Sequence, residues 1–327
     1  MQVCYILRHP EAHFYSIERL CHVLSGAMRE HAEVSTYTMP FSSSVLGAPA
    51  NLLRLPRRQN TIYHVIGDVH YAALALPRAR TVVTYHDAVL LRRLAGLKRH
   101  LLLEYSYRKP IECAGAVTTI SQFAKSELEN ACGGLGRPVH VVHNPADPVF
   151  AGVESRPAKG RPRILQVGCT RQKNVDVVIE ALAGVDCDLH IVGIPERRLT
   201  QLAERYGVRA QWHTGVEDRE LVELYASATL VTFASAYEGF GLPIIEAQAV
   251  GCPVITSTCC SLPEVAGDGA LFVEAGSVSE LRYAVRRLLD DPGLRSKLID
   301  RGRQNVARFN LRTIAAKYLA IYESLLN

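Results

Sequence analysis

The chain has 327 residues, enough for two domains of ordinary size that each bury their own core. Its composition, 48% hydrophobic and 21% charged, is that of a soluble globular protein and excludes a disordered or fibrous chain. The net charge of +5 lies wholly in the first half: residues 1–150 carry 16 Lys and Arg against 11 Asp and Glu, and residues 151–327 carry 21 of each.

In chain order, short apolar runs predict strands over 3–8, 33–38, 61–66, 81–85, 116–120 and 139–142, with helical spacing over 16–31 and 122–131. A polar segment with Pro and Gly, 145–162, interrupts the alternation. It restarts with strands over 164–168, 189–192, 210–213, 230–233, 254–256 and 270–273, then a basic helix and a last helix over 311–326. Such alternation implies parallel sheets, hence an α/β protein of two doubly wound halves with ligands at the carboxyl ends of the strands, in the cleft between them. No run of about 18 apolar residues offers a membrane span. The start, Met1 to Arg8, reads as a strand and lacks a signal peptide's basic start and cleavage site. The nine cysteines have no zinc-site spacing. Cys4, Cys21, Cys187 and Cys252 fall in apolar segments and predict core thiols in a reducing cytoplasm.

Residues 236–247, Ala-Tyr-Glu-Gly-Phe-Gly-Leu-Pro-Ile-Ile-Glu-Ala, are the most informative stretch. A buried strand precedes them and helical spacing follows, with Pro243 suited to a first helical turn. A strand, a glycine turn and a helix start aim backbone N–H groups and the positive helix end at one point, which makes a phosphate site. Glu238 and Glu246, eight positions apart, cannot bind that phosphate, because like charges repel. They read instead as acceptors for hydroxyl groups, that is, for a sugar. The basic cluster Arg92, Arg93, Lys98, Arg99, Arg108 and Lys109, with Arg54, Arg57 and Arg58, lacks the stacking platforms of a nucleic-acid site. An anionic membrane surface and a solvated helix face are its two readings.

The 236–247 segment resembles the signature of the family-4 retaining glycosyltransferases, E-x7-E within a GT-B fold of two Rossmann-like domains. Further motifs resemble that family in the right order from about residue 60 to 275: Thr84-Tyr85-His86-Asp87, Thr119-Ile120-Ser121-Gln122-Phe123-Ala124-Lys125, Val142-His143-Asn144-Pro145-Ala146-Asp147, Val167-Gly168 through Lys173-Asn174, and Ser261-Leu262-Pro263-Glu264-Val265. The resemblance implies an acceptor-binding domain over 1–150, a donor-binding domain over 151–310, and a helix over 311–327 that crosses back to the first domain. It further implies transfer of a hexose from a nucleotide-diphosphate sugar, GDP-mannose or a UDP-hexose, with retention of configuration. The acceptor would be a saccharide or lipid-linked saccharide in surface polysaccharide or glycoconjugate assembly. Such an enzyme is cytoplasmic or peripheral on the inner membrane face, and needs neither cofactor nor metal.

By the same resemblance Lys173 binds the diphosphate, with Arg171 standing in for an arginine the family often places where this chain has Cys169. The amides of Gly239, Phe240, Gly241 and Leu242 complete the cradle, Glu246 takes the ribose hydroxyls, and the Val216 backbone meets the base. Glu238 and His86 serve the transferred sugar, and Glu238 is expected to leave affinity for the nucleotide alone nearly untouched. The loop after the first strand departs from the family's Gly-Gly pattern and offers His9, Glu11 and His13; with Ser121 these are the acceptor-side candidates. Asp186-Cys187-Asp188 precedes its strand and reads as a loop away from the site, not as a metal ligand set. Other GT-B chemistry (an epimerase or a phosphorylase) and a non-catalytic nucleotide-sugar-binding subunit are the alternatives.

Overall fold

A computed structural model of the chain describes residues 1–10, 16–44 and 46–326. Two compact units emerge, residues 1–145 together with the C-terminal helix, and Ala146–Asn310. The first unit holds β1 (Gln2–Leu7), β2 (Glu33–Thr38), β3 (Thr61–Val65), β4 (Thr81–Tyr85), β5 (Ala116–Thr119) and β6 (His140–Val141). The second holds β7 (Arg163–Val167), β8 (Asp188–Val192), β9 (Arg209–His213), β10 (Leu230–Phe233), β11 (Val254–Ser257) and β12 (Ala270–Val273). Each predicted strand is found with ends shifted by at most one residue. Helices link the strands, and both sheets are parallel, as crossover connections require.

The strand orders differ between units. The second runs β12-β11-β10-β7-β8-β9, the full dinucleotide-fold order, whereas the first runs β2-β1-β3-β4-β5-β6 and is flavodoxin-like with one added strand. The order therefore reverses between β1 and β3 in one unit and between β7 and β10 in the other. Those gaps are where loops diverge and leave room for a ligand.

Side chains along the strands alternate faces, and helices cover both. In the first unit Val3, Tyr5, Leu7, Ile62 and Val82 pack on one side. Cys4, Ile6, Tyr63, Val65 and Val83 pack on the other. The helix Leu311–Ser324 buries Ile314, Ala315, Tyr318, Ile321 and Tyr322 on the first of these faces, beside the helix Ser16–Met28. A buried polar chain fastens it: the Tyr322 hydroxyl lies 2.7 Å from His64 Nδ1, and His64 Nε2 lies 2.6 Å from Thr84 Oγ1. Burial pushes His64 down to about 3, so its ring is neutral.

Three expectations need amendment. The boundary falls after Pro145, not after residue 150, because Phe150 is fully buried with its ring edge-on to Tyr225 at 5.4 Å. Backbone bonds from Arg156 to Ala226 and from Ala158 to Ser227 tie the next segment to the same unit. The stretch after β4, left without elements by the sequence reading, is helical over Val89–Arg93, Gly96–Leu102, Leu103–Arg108 and Lys109–Cys113. The basic cluster there is partly neutralised: Arg92 pairs with the buried Glu127, and Arg108 with Glu104 at 2.8 Å.

Candidate functional site

Two loops flank the reversal in the second sheet, one after β7 and one after β10. Gly168 directly follows β7 at φ +84°, a conformation that costs a side-chain-bearing residue about 1–2 kcal/mol. A Cβ there would lie 3.0 Å from Lys173 Cε, so the glycine also makes room for the lysine stem. The turn Arg171–Lys173 follows, and Asn174, at φ +53°, donates from Nδ2 to the Ala234 carbonyl at 2.9 Å. The Ala236 amide donates to the Gln172 carbonyl at 2.8 Å. The two loops are thus stitched together by backbone and amide bonds.

After β10 the chain reaches the helix Leu242–Val250, entered through Gly241 at φ +121° with Pro243 in the first turn. Phe240 is buried and meets Phe309 edge-on at 5.7 Å, so only its backbone can serve a ligand. Its side chain anchors the turn, a burial worth about 1.5–3 kcal/mol. Ser261, itself fully buried, donates to the carbonyls of both Glu238 (2.9 Å) and Phe240 (2.7 Å). That hydroxyl pins the loop from below. The result is a glycine turn at a helix N-terminus, held by partners from three segments.

The charges converge on one contact. Lys173 Nζ lies 2.7 Å from Glu238 Oε1, with side chains 18% and 14% exposed, and 4.4 Å from the Phe233 ring centroid. A half-shielded pair of this kind interacts more strongly than a fully solvated one. The phosphate-binding lysine and the sugar-binding glutamate of the sequence reading are therefore coupled directly, which that reading did not foresee. Glu246 stands further along the helix and accepts a 2.7 Å hydrogen bond from the Tyr225 hydroxyl at Oε2. Arg171 is exposed on the lip of the loop after β7. Val216 follows Gly215, at φ +64°, in the turn between β9 and the helix Asp218–Ser227. Cys169 donates to the Ile194 carbonyl at 3.2 Å.

The first-unit candidates sit at strand ends too. His86, just past β4, is buried and donates from Nε2 to the Ile66 carbonyl at 2.7 Å, so Nδ1 is what its ring can offer a substrate. Asp87 accepts from the Val89 amide, and burial holds its carboxyl above the usual range. His9 donates from Nδ1 to the Met39 carbonyl at 3.3 Å. Ser121 is fully buried, and its hydroxyl caps the helix Gln122–Cys132 by accepting from the Ala124 amide at 3.0 Å, a structural task. Glu11 and His13 lie outside the described residues.

Sequence reasoning missed Phe233, Ser261, Tyr225 and Asn174, which position the site. Only Asn174 and Ser261 carried a signal, since each stands inside a quoted motif. Asp186 and Asp188 meet Arg161 and Arg209 at 2.6–3.8 Å, an exposed ion-pair network at the amino end of β8, far along the strand from the loops of the site. Among the described residues no group of three His, Cys, Asp or Glu is placed to hold a metal ion.

Two family models match this chain: one described as glycosyltransferase family 4 over residues 6–150, the other as glycosyl transferases group 1 over residues 153–305. The MMP alpha-(1->4)-mannosyltransferase of Mycolicibacterium hassiacum is 32% identical over 219 residues, 63% of this chain and 53% of that protein. The chain thus spans about half the length of that relative. The O-antigen chain mannosyltransferase B of Escherichia coli is 27% identical over 312 residues, 83% of this chain and 78% of that one. The solved structure of Anabaena HepE in complex with UDP and glucose matches with a TM-score of 0.79 at 16% identity, over 99% of this chain and 100% of that one. At that identity the likeness is one of fold.

Proposed function

We propose a sugar-transfer reaction for this chain, which belongs to the family-4 glycosyltransferases. Its second unit takes a nucleotide-diphosphate hexose, and the hexose passes to a saccharide or lipid-linked saccharide with retention at the reacting carbon. The observation that carries this reading is the placement of Lys173 and Glu238 together beside a glycine turn and a helix N-terminus, where β7 and β10 part. One group suits a diphosphate and the other a polyol. The mannosyltransferase names of the two relatives favour GDP-mannose, and the UDP and glucose of the Anabaena structure favour a UDP-hexose.

In the proposed step the bond between the anomeric carbon and the diphosphate oxygen breaks, and its electrons leave with the diphosphate. The acceptor hydroxyl bonds to the same face and yields its proton to the departing phosphate oxygen. Lys173, the amides of residues 239–242 and the helix end stabilise a charge that grows on the way to the transition state, which is where stabilisation accelerates a reaction. Arg171 adds a second cation at the loop's lip. Glu246 holds the ribose, the Val216 backbone meets the base, and Glu238 and His86 take sugar hydroxyls. The scheme calls for no metal or cofactor.

A thermal-shift screen against GDP, UDP, TDP and ADP tests the donor, since a ligand that binds only the folded chain raises its midpoint. The matching nucleotide sugar is then offered with saccharide acceptors, and the product's anomeric configuration is read by NMR. Release of diphosphate with an α-linked product from an α-donor supports the proposal. An altered nucleotide sugar without diphosphate release marks an epimerase, dependence on inorganic phosphate a phosphorylase, and a midpoint shift without turnover a binding subunit.

The location proposed is the cytoplasmic face of an anionic membrane. Support comes from a surface row, Leu97, Leu101 and Tyr105, exposed at 72%, 46% and 48% and spaced four apart along one helical face. Exposed Lys98, Arg99 and Lys109 flank it. Apolar tips among basic residues suit the boundary of acyl chains and acidic headgroups.

A further inference from the structure

We propose that Glu238 is a placeholder for the donor diphosphate: it occupies Lys173 until the diphosphate displaces it, and returns to Lys173 after transfer to help expel the product. This rests on the donor reading above. The contacts point to the glutamate as the partner that moves. The Lys173 stem runs past Gly168, its Cγ, Cδ and Cε atoms 3.0–3.5 Å from where a Cβ of residue 168 would stand, so the glycine makes room for it. Its ammonium rests 4.4 Å above the ring of Phe233, which is fully buried and whose carbonyl accepts from Thr256 Oγ1 at 2.9 Å. The Glu238 backbone is equally fixed, through the 2.9 Å bond from Ser261 to its carbonyl. Among the described residues the Glu238 carboxylate has Lys173 as its one hydrogen-bond or ion-pair partner, so a ligand that takes the lysine lets this side chain rotate away.

A diphosphate brings more negative charge than one carboxylate and wins the lysine when it arrives. The displaced carboxylate then faces the donor's hexose, whose hydroxyls satisfy it. Once the hexose has left, that satisfaction is gone. The carboxylate stands beside the remaining diphosphate, repels it and competes for its cation. Donor and product are therefore held differently by the same two side chains, and the difference favours turnover.

The test is calorimetric titration of GDP and UDP, and of guanosine and uridine, into wild type, Glu238→Gln, Glu238→Ala and Lys173→Ala. Stopped-flow displacement adds the dissociation rate, and circular dichroism confirms that each variant is folded. The expected result is about three- to tenfold tighter diphosphate binding in both Glu238 variants, the scale of one partly shielded ion pair. Slower dissociation should account for it, nucleoside affinity should not change, and Lys173→Ala should weaken only the diphosphates. Unchanged or weaker diphosphate binding in the Glu238 variants, with loss in Lys173→Ala, overturns the placeholder and leaves the donor reading standing. Absence of diphosphate binding by the wild type overturns both.

Discussion

At the scale of single residues, the two glutamates of the helix entry differ in their company, and this fixes what each can do. Glu246 is oriented by Tyr225, whose ring is held by Phe150, so it presents a steady pair of oxygens. A group that binds ribose does so equally in ground and transition states. Glu246→Gln should therefore raise the donor KM and spare kcat, at a cost of about 1.5–3 kcal/mol for a bond to a charged group. Tyr225→Phe should move KM the same way by less. Steady-state kinetics decide, and a fall in kcat at constant KM would show that Glu246 serves the chemistry instead. Lys173→Ala carries the complementary expectation: diphosphate affinity falls by about the same 1.5–3 kcal/mol while nucleoside affinity holds, because only a charge-assisted contact is lost. Equal losses for both ligands would remove the lysine from the phosphates.

At the scale of elements, the site is two strand-to-helix turns, and its precision comes from the bonds that lock one turn to the other. Gly168 lies against the lysine itself. Gly168→Ala would set a left-handed residue against the Lys173 stem, costing about 1–2 kcal/mol of stability for the backbone alone and displacing the ammonium. A denaturation curve and a diphosphate titration on one preparation should show both losses; a variant with wild-type affinity would mean that the stem reroutes freely. Ser261→Ala should act differently, because the hydroxyl donates to the carbonyls of Glu238 and Phe240. It should lower kcat by loosening the loop with little change in nucleoside binding.

At the scale of the whole molecule, the charges that matter are the buried neutral histidines and the exposed basic helix. His64 and His70 titrate at about 3 and about 4 through burial, below the 6.5 of an unfolded chain. Well above 6.5, from about pH 8, neither state binds a proton there and stability is flat. As pH falls from there towards 4, the unfolded chain takes up protons that the folded chain refuses, so stability drops by up to about 1.4 kcal/mol per pH unit for each histidine. Urea midpoints at pH 7 and pH 5 should separate accordingly for wild type and separate less for His64→Gln; an equal separation would absolve His64. On the basic face, Lys98→Glu with Arg99→Glu should abolish sedimentation with acidic vesicles, and salt should weaken wild-type binding through a screening length of about 8 Å at physiological strength. Replacing Leu97 and Leu101 by Ser should weaken it regardless of salt. Wild type that ignores acidic vesicles would retire the membrane surface.

The strands, their parallel sense and the strand–glycine–helix turn were legible because apolar period and turn chemistry are local properties of neighbouring residues. The positions of Lys173, Glu238 and Glu246 followed from motifs in register with a known family. What the sequence could not supply was company. Lys173 and Glu238 are 65 residues apart, and they meet only because β10 returns to lie against β7 with β8 and β9 on the other side. The cap formed by Ser121, the allegiance of residues 146–150 to the second unit, and the latch from Tyr322 to His64 across 258 residues belong to the same kind. The sequence by itself determined which elements form and which chemical groups they carry. The tertiary structure decided which of those groups touch, because contact energies between distant residues exist only once the crossover order has brought their strands together.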